Sequence, residues 1–245
     1  MADSDIYLSV IVPAYNEEDR IVPSLQRMGE YLSAQNYTYE IVVVVDGAKD
    51  HTADVVRQLT GRIAHLRLIE QENTGKGGAV TNGMRQTHGR IRLFTDADNS
   101  TDIHYFEDMR PLFDEGRDLV ISTRHSWDKE GATQKISQPW YRRILGMSGN
   151  IFIQIVAVPG IWDTQNGFKA FTSEAATRIF GQTRIKGFGF DIEILAMARH
   201  FRYTIGIIPI EWQNDDRSTV GLSNYINVLM QTIQVRWNII RGIYK

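Results

Sequence analysis

Leu93-Phe94-Thr95-Asp96-Ala97-Asp98-Asn99-Ser100-Thr101 decides how this chain is read, because an apolar run stops abruptly at two carboxylates one residue apart. Strand side chains alternate between faces, so Asp96 and Asp98 point the same way from the carboxyl end of a strand. Asn99, Ser100 and Thr101 supply turn and helix-cap chemistry beyond them. Two hard oxygen donors in that position suit a divalent cation.

Working outward, the same pattern of apolar run, polar turn and helix comes three times before it. Residues 8–12 are an apolar run closed by Pro13, and Asn16, Glu17, Glu18 and Asp19 charge the first turn of a helix predicted to about residue 33. Residues 40–45 are mostly β-branched, as in a strand buried on both faces, and lead through Asp46-Gly47 to a helix over 51–59. A third strand at 66–70 precedes Gly75-Lys76-Gly77-Gly78 and a helix over 79–87, and the fourth strand is 91–95. Such a series predicts right-handed crossovers and an open, mostly parallel α/β sheet, Rossmann-like, with ligands at the strands' carboxyl ends. Beyond it the pattern predicts a helix over 105–113, a strand over 118–122, an irregular loop over 125–138 and an apolar helix over 141–158. A polar loop from Asp163 into a strand, a helix from about 190 to 201, a strand over 203–210 and a last helix over 221–240 complete the chain.

A chain of 245 residues, 42% hydrophobic and 23% charged, predicts one domain spanning 1–245. A net charge of -2 gives no basic footprint for nucleic acid. Without Cys there is neither a disulfide framework nor a thiolate metal site. Residues 1–5 are acidic and run into a strand, which predicts no secretory signal, and no apolar run reaches the roughly 18 residues of a spanning helix. Any membrane contact is therefore expected to be interfacial or through a partner. The 75–78 loop lacks the spacing of a P-loop, and no Gly-x-Gly-x-x-Gly follows the first strand, which argues against an ATPase and a dinucleotide enzyme.

The ordered set Ser9-Val10-Ile11-Val12-Pro13-Ala14-Tyr15-Asn16-Glu17, Asp46-Gly47, Asp96-x-Asp98 and Gly167-Phe168-Lys169 resembles the inverting family 2 glycosyltransferases of the GT-A fold, over essentially the whole chain. Gly75-Lys76-Gly77-Gly78-Ala79-Val80, Asp163-Thr164-Gln165-x-Gly167-Phe168-Lys169 and Phe190-Asp191-x-Glu193 are most similar to dolichyl- and polyprenyl-phosphate β-glucosyltransferases, with dolichyl-phosphate mannosyltransferases as near relatives.

This resemblance implies a metal-dependent hexosyltransferase that moves glucose from UDP-glucose to a lipid phosphate. GDP-mannose or a UDP-N-acetylhexosamine is the rival donor. It also implies that residues 1–100 form the donor half and 101–245 the acceptor half. Pro13, Ala14, Tyr15, Glu17 and Asp46 would line the base and ribose pocket, joined at the donor by Lys76 and Asp96, while Asp96 and Asp98 would place Mg²⁺ or Mn²⁺ on the diphosphate. A carboxylate such as Asp46 accepts from uracil or guanine alike, and capping the next helix is its other reading. A lipid phosphate is already an anion and needs positioning by cations, for which Arg124, Arg142, Arg143, Lys169 and Arg217 are the candidates. A hydroxyl acceptor would instead need a base, and Asp191 and Glu193 complete the catalytic set with Asp98 and Arg217. Val45 and Ala48 stand where the family has a second Asp and a Ser, which motivates a reading of another class, a silent nucleotide-sugar binding subunit.

The last helix carries Ile226, Leu229, Met230, Ile233, Trp237 and Ile240 at helical spacing, with Asn227, Gln231, Gln234, Asn238 and Arg241 opposite. That face either packs on the sheet or lies at a bilayer surface. The implied location is the cytoplasm or the cytoplasmic face of a membrane.

Overall fold

The computed structural model describes residues 6–135, 140–213 and 222–245. The first half follows the predicted order: β1 (Leu8–Ala14), α1 (Ile21–Ser33), β2 (Tyr39–Asp46), α2 (Thr52–Leu59), β3 (Leu66–Gln71), α3 (Lys76–Arg85) and β4 (Ile91–Thr95). After a short 3₁₀ turn come α4 (Phe106–Asp114), β5 (Leu119–Thr123), β6 (Thr133–Lys135), α5 (Trp140–Val156) and β7 (Phe168–Thr172). The chain then forms α6 (Ser173–Phe180), α7 (Phe190–His200), β8 (Ile205–Pro209), β9 (Glu211–Gln213) and α8 (Leu222–Ile240).

Seven strands form one sheet in the order β3-β2-β1-β4-β7-β5-β8. All neighbours are parallel except β7, which runs antiparallel to both β4 and β5. Every residue of β2 is buried, as its β-branched run requires of a strand covered on both faces. Alternation sends Val10, Val12, Val43 and Val45 to one face, where α1, α2 and α4 supply Leu25, Val56 and Phe106. It sends Ile11, Val42 and Val44 to the other, under Val80 of α3, Ala176 of α6 and Leu195 of α7.

Three details depart from the sequence reading. The helix expected from residue 79 begins at Lys76, because Gly75 takes a φ of +93° and turns the chain directly into it. The stretch 125–138, read as irregular, contains β6, which pairs with β9; strands of three residues show too little periodicity to be seen. Helix α6 was not foreseen, although Thr172 caps it by accepting from the Ala175 N–H. Among the described residues no helix is long and apolar enough to cross a membrane.

Candidate active site

Strand order reverses between β1 and β4, the place where open α/β sheets hold ligands beyond their carboxyl ends. A cavity of about 530 Å³ lies there, with Lys76, Asp96, Asp98, Arg124, Gly167 and Asp191 among its walls. Asp96 and Asp98 both face it, while Ala97 between them is buried in the core. The turn after them is fixed by Asn99 at φ +54°, a conformation asparagine tolerates, and by the Ser100 N–H donating to Asp98 Oδ1 at 3.0 Å.

Two neighbours hold Asp96. Lys76 Nζ lies 2.5 Å from Asp96 Oδ1. On the other side Gly167 presses so close that a Cβ there would sit 2.0 Å from Oδ2. Burial works against the Lys76 charge, yet Asp96, Asp191 and Asp98 together raise its pKa above the ordinary lysine value.

The floor is a buried ion pair. Lys169 Nζ is 2.5 Å from Asp191 Oδ1, with their side chains 0% and 3% exposed, and it also donates to the Asn166 carbonyl and lies over the Phe94 ring. Burial pushes the Asp191 carboxyl up and the Lys169 ammonium down, each opposed by the attraction of the other. On the wall, Arg124 donates through Nε and Nη2 to the two oxygens of Asp163, at 2.9 and 2.7 Å. Burial favours the neutral acid at Asp163, but Arg124 overrides it and holds the carboxyl low. Asp128 secures this corner by accepting from the Trp162 and Asp163 N–H groups and from the Thr123 hydroxyl.

The structure thus brings together Lys76, Asp96, Asp98, Arg124 and Asp191, with Lys169 beneath them. Lys169 was expected to face an acceptor; it is corrected to a support, because its ammonium is fully buried and bonded to Asp191. Glu193 was expected beside Asp191 as a catalytic carboxylate and is likewise corrected. It is fully buried away from the cavity and accepts from the Arg184 and Ile185 N–H groups and the Tyr244 hydroxyl. Asp46 lies at the end of β2, where its carboxylate accepts from Gln71, from Thr74 and from the Gly75 N–H, tying the β3–α3 loop down. Pro13 and Ala14 end β1 beside it, in register with Val44 and Val45. Tyr15 is exposed next in line, and Glu17 is engaged with Arg20. Arg142 and Arg143 fall in the first turn of α5, their side chains outside the described part, and Arg217 lies outside the described residues.

Asp163, Asp128 and Asn166 went unassigned in the sequence reading, although Asp163 and Asn166 fall within a quoted motif. Asn166 also has a buried side-chain Nδ2 with no partner among the described residues.

Helices α5 and α8 form the far wall, through Gly149, Asn150 and Ile153 on one and Tyr225, Val228 and Leu229 on the other. The buried face of α8 is Val228, Thr232, Val235 and Asn238. Its large apolar residues Ile226, Met230, Ile233, Trp237 and Ile240 point outward, Met230 being 63% exposed, so the stripe does not pack on the sheet. Met147, Ile151 and Ile155 of α5 are exposed as well, Ile155 by 77%. Arg241 stacks over the Trp237 ring at 4.7 Å.

Residues 9–180 match the model of the family described as glycosyl transferase family 2. The dolichyl-phosphate β-glucosyltransferase of Dictyostelium discoideum is 35% identical, the match covering 98% of this chain and 77% of that protein. The human enzyme of the same name is 32% identical over 84% of this chain and 67% of its own length. Among solved structures, glucosyl-3-phosphoglycerate synthase from Mycobacterium tuberculosis, in complex with Mn²⁺, UDP-glucose and phosphoglyceric acid, is similar with a TM-score of 0.70. The two are 20% identical, and the match covers 96% of this chain and 79% of that one. This is a likeness of fold.

Proposed function

Because the chain belongs to glycosyl transferase family 2, we propose that it transfers glucose from UDP-glucose to the phosphate of a dolichyl or other polyprenyl lipid, inverting the sugar's anomeric carbon. The observation that carries this reading is a single cavity with the Asp96–Asp98 pair and Lys76 on one side and two helices with apolar outer faces on the other. The curated relatives bear the name of this activity, and a structural neighbour of the same fold holds UDP-glucose and Mn²⁺.

The donor nucleotide fits at the carboxyl ends of β1 and β2, near Pro13, Ala14, Tyr15, Glu17 and Asp46. Its diphosphate would then reach Lys76 and the β4 carboxylates. Asp96 and Asp98 both line the cavity, and their carboxylates would hold a hard divalent cation there. When bound, Mg²⁺ or Mn²⁺ offsets the charge that develops on the departing UDP. A phosphate oxygen of the acceptor bonds to the anomeric carbon as that carbon's bond to the diphosphate breaks, and the electron pair leaves with UDP. The attacking oxygen is already anionic, so no proton has to be removed. The protein's task is to hold two anions together. Arg124 serves at the wall, with Arg142, Arg143 and Arg217 assigned to the acceptor phosphate by family position. Asp191, fixed by Lys169, is the carboxylate that faces the reacting groups.

The outward stripes of α5 and α8 fit the surface of a bilayer, continuous with the cavity that takes the lipid's head. Trp237, Arg236 and Arg241 suit its interface. Radiolabelled UDP-glucose incubated with polyprenyl phosphate and Mn²⁺ should give a lipid-linked glucose in the β configuration. Nucleotide binding without product from any sugar nucleotide would overturn the proposal in favour of a silent binding subunit.

A further inference from the structure

We propose that Lys76 is the built-in counter-cation of Asp96 and that it makes metal binding depend on the donor nucleotide. This rests on the reading of the cavity as a metal-and-donor site.

The backbone that delivers Lys76 is anchored on both sides. Asp46 takes the Thr74 and Gly75 N–H groups, and the Gly78 N–H donates to the Lys186 carbonyl at 3.1 Å. Lys76 is the first residue of α3, so its ammonium starts from a fixed point and meets Asp96 Oδ1 at 2.5 Å. Asp96 in turn is backed on one side by Gly167. Arg124, which also lines the cavity, is paired with Asp163, and Lys169 beneath it is paired with Asp191. Among the described residues, Lys76 is the one whose partner is a proposed metal ligand.

A divalent ion arriving alone has to compete with this ammonium for the Asp96 oxygen, in a pair only 21% and 30% exposed and so weakly screened. A diphosphate arriving with the ion offers the ammonium another anion. Lys76 then moves from carboxylate to phosphate, and Asp96 becomes available. Metal and donor therefore load together.

The test is titration of Mn²⁺, followed by the electron paramagnetic resonance of the free ion, with and without UDP. Wild-type protein should bind Mn²⁺ weakly alone and much more tightly with UDP. Lys76→Met should bind Mn²⁺ alone about tenfold more tightly than wild type, the scale of removing one opposite charge from beside a carboxylate. It should also lose most of the enhancement by UDP. Lys76→Arg, which keeps the charge, should retain that enhancement, and adding Asp96→Asn to Lys76→Met should erase the gain. A Lys76→Met affinity for Mn²⁺ alone at or below the wild-type value, or an undiminished enhancement by UDP, overturns the proposal while leaving the site reading intact. Wild-type protein that binds Mn²⁺ in neither condition overturns both.

Discussion

Replacing Gly167 by alanine adds one methyl group at the narrowest point of the cavity. Its backbone is not in the left-handed region, so alanine meets no conformational strain there. The difficulty is space. The new Cβ would lie 2.0 Å from Asp96 Oδ2 and 2.4 Å from Cγ, where ordinary contact begins at 3.4 Å. The carboxylate must retreat from 2.0 to about 3.4 Å, and a displacement of more than about 1 Å at a reacting centre costs on the order of a hundredfold in rate. Retreat also disturbs the bond from Lys76 to Oδ1. Overpacking costs about 1–3 kcal/mol, which in a chain of this size lowers the melting temperature by roughly 2–12 °C. Calorimetric titration with UDP and Mn²⁺ should show clearly weaker affinity, and turnover should fall on the order of a hundredfold, while thermal unfolding stays cooperative. A folded Gly167→Ala protein with wild-type affinity would refute both the assignment of Asp96 and the rigidity ascribed to it.

Lys169→Met leaves the Asp191 carboxylate buried beside an apolar chain and should cost about 3–5 kcal/mol in urea unfolding, with part of the loss restored by adding Asp191→Asn. If Lys169→Met is no less stable than wild type, the buried pair is not ionised. Glu193→Gln should lower the melting temperature, because the amide cannot accept from both the Arg184 and Ile185 N–H groups and from Tyr244. Burial, outweighing its hydrogen bonds, raises the Glu193 pKa in the folded protein above the ordinary value of 4.5. The stability from its preferential protonation is complete below pH 4.5 and is lost as pH rises through the folded pKa. The deficit of Glu193→Gln should therefore be widest in acid and narrow upward; a deficit independent of pH would contradict this. Serine at Ile233, Trp237 and Ile240 together should abolish flotation with anionic vesicles yet leave the melting temperature nearly unchanged, since all three are exposed. Unaltered flotation would remove α8 from the membrane account.

Residues next to strand ends were legible in the sequence, and those defined by partners far along the chain were not. Asp96 and Asp98 could be placed because an apolar strand stops at them. Glu193 could not be separated from Asp191 by proximity, although helical geometry holds the answer: residues two apart on a helix point about 200° from each other, one to the cavity and one away. Lys169 reads as a free cation because lysine is almost never fully buried, and only its pairing with Asp191 explains the exception. The apolar spacing of α8 correctly marked a helix but not its orientation, since its buried face includes Thr232 and Asn238, and Asn238 bonds the Tyr244 hydroxyl. Gly167 is visible as a loop glycine, but the carboxylate it must clear lies on another strand.

The antiparallel insertion of β7 has a kinetic consequence. Phe94 is paired with Lys169 and Leu93 with Ala170, so the centre of the sheet is closed by a segment synthesised long after β4. Contacts so distant in sequence carry a loop-closure cost that slows their formation. Strands β1 to β4 can associate early during synthesis, but the outer edge of β4 must wait for β7. Until β7 arrives, Asp96 lacks the backing of Gly167. A nascent chain halted before β7 would therefore expose an unpaired strand edge, a natural place for a chaperone to act.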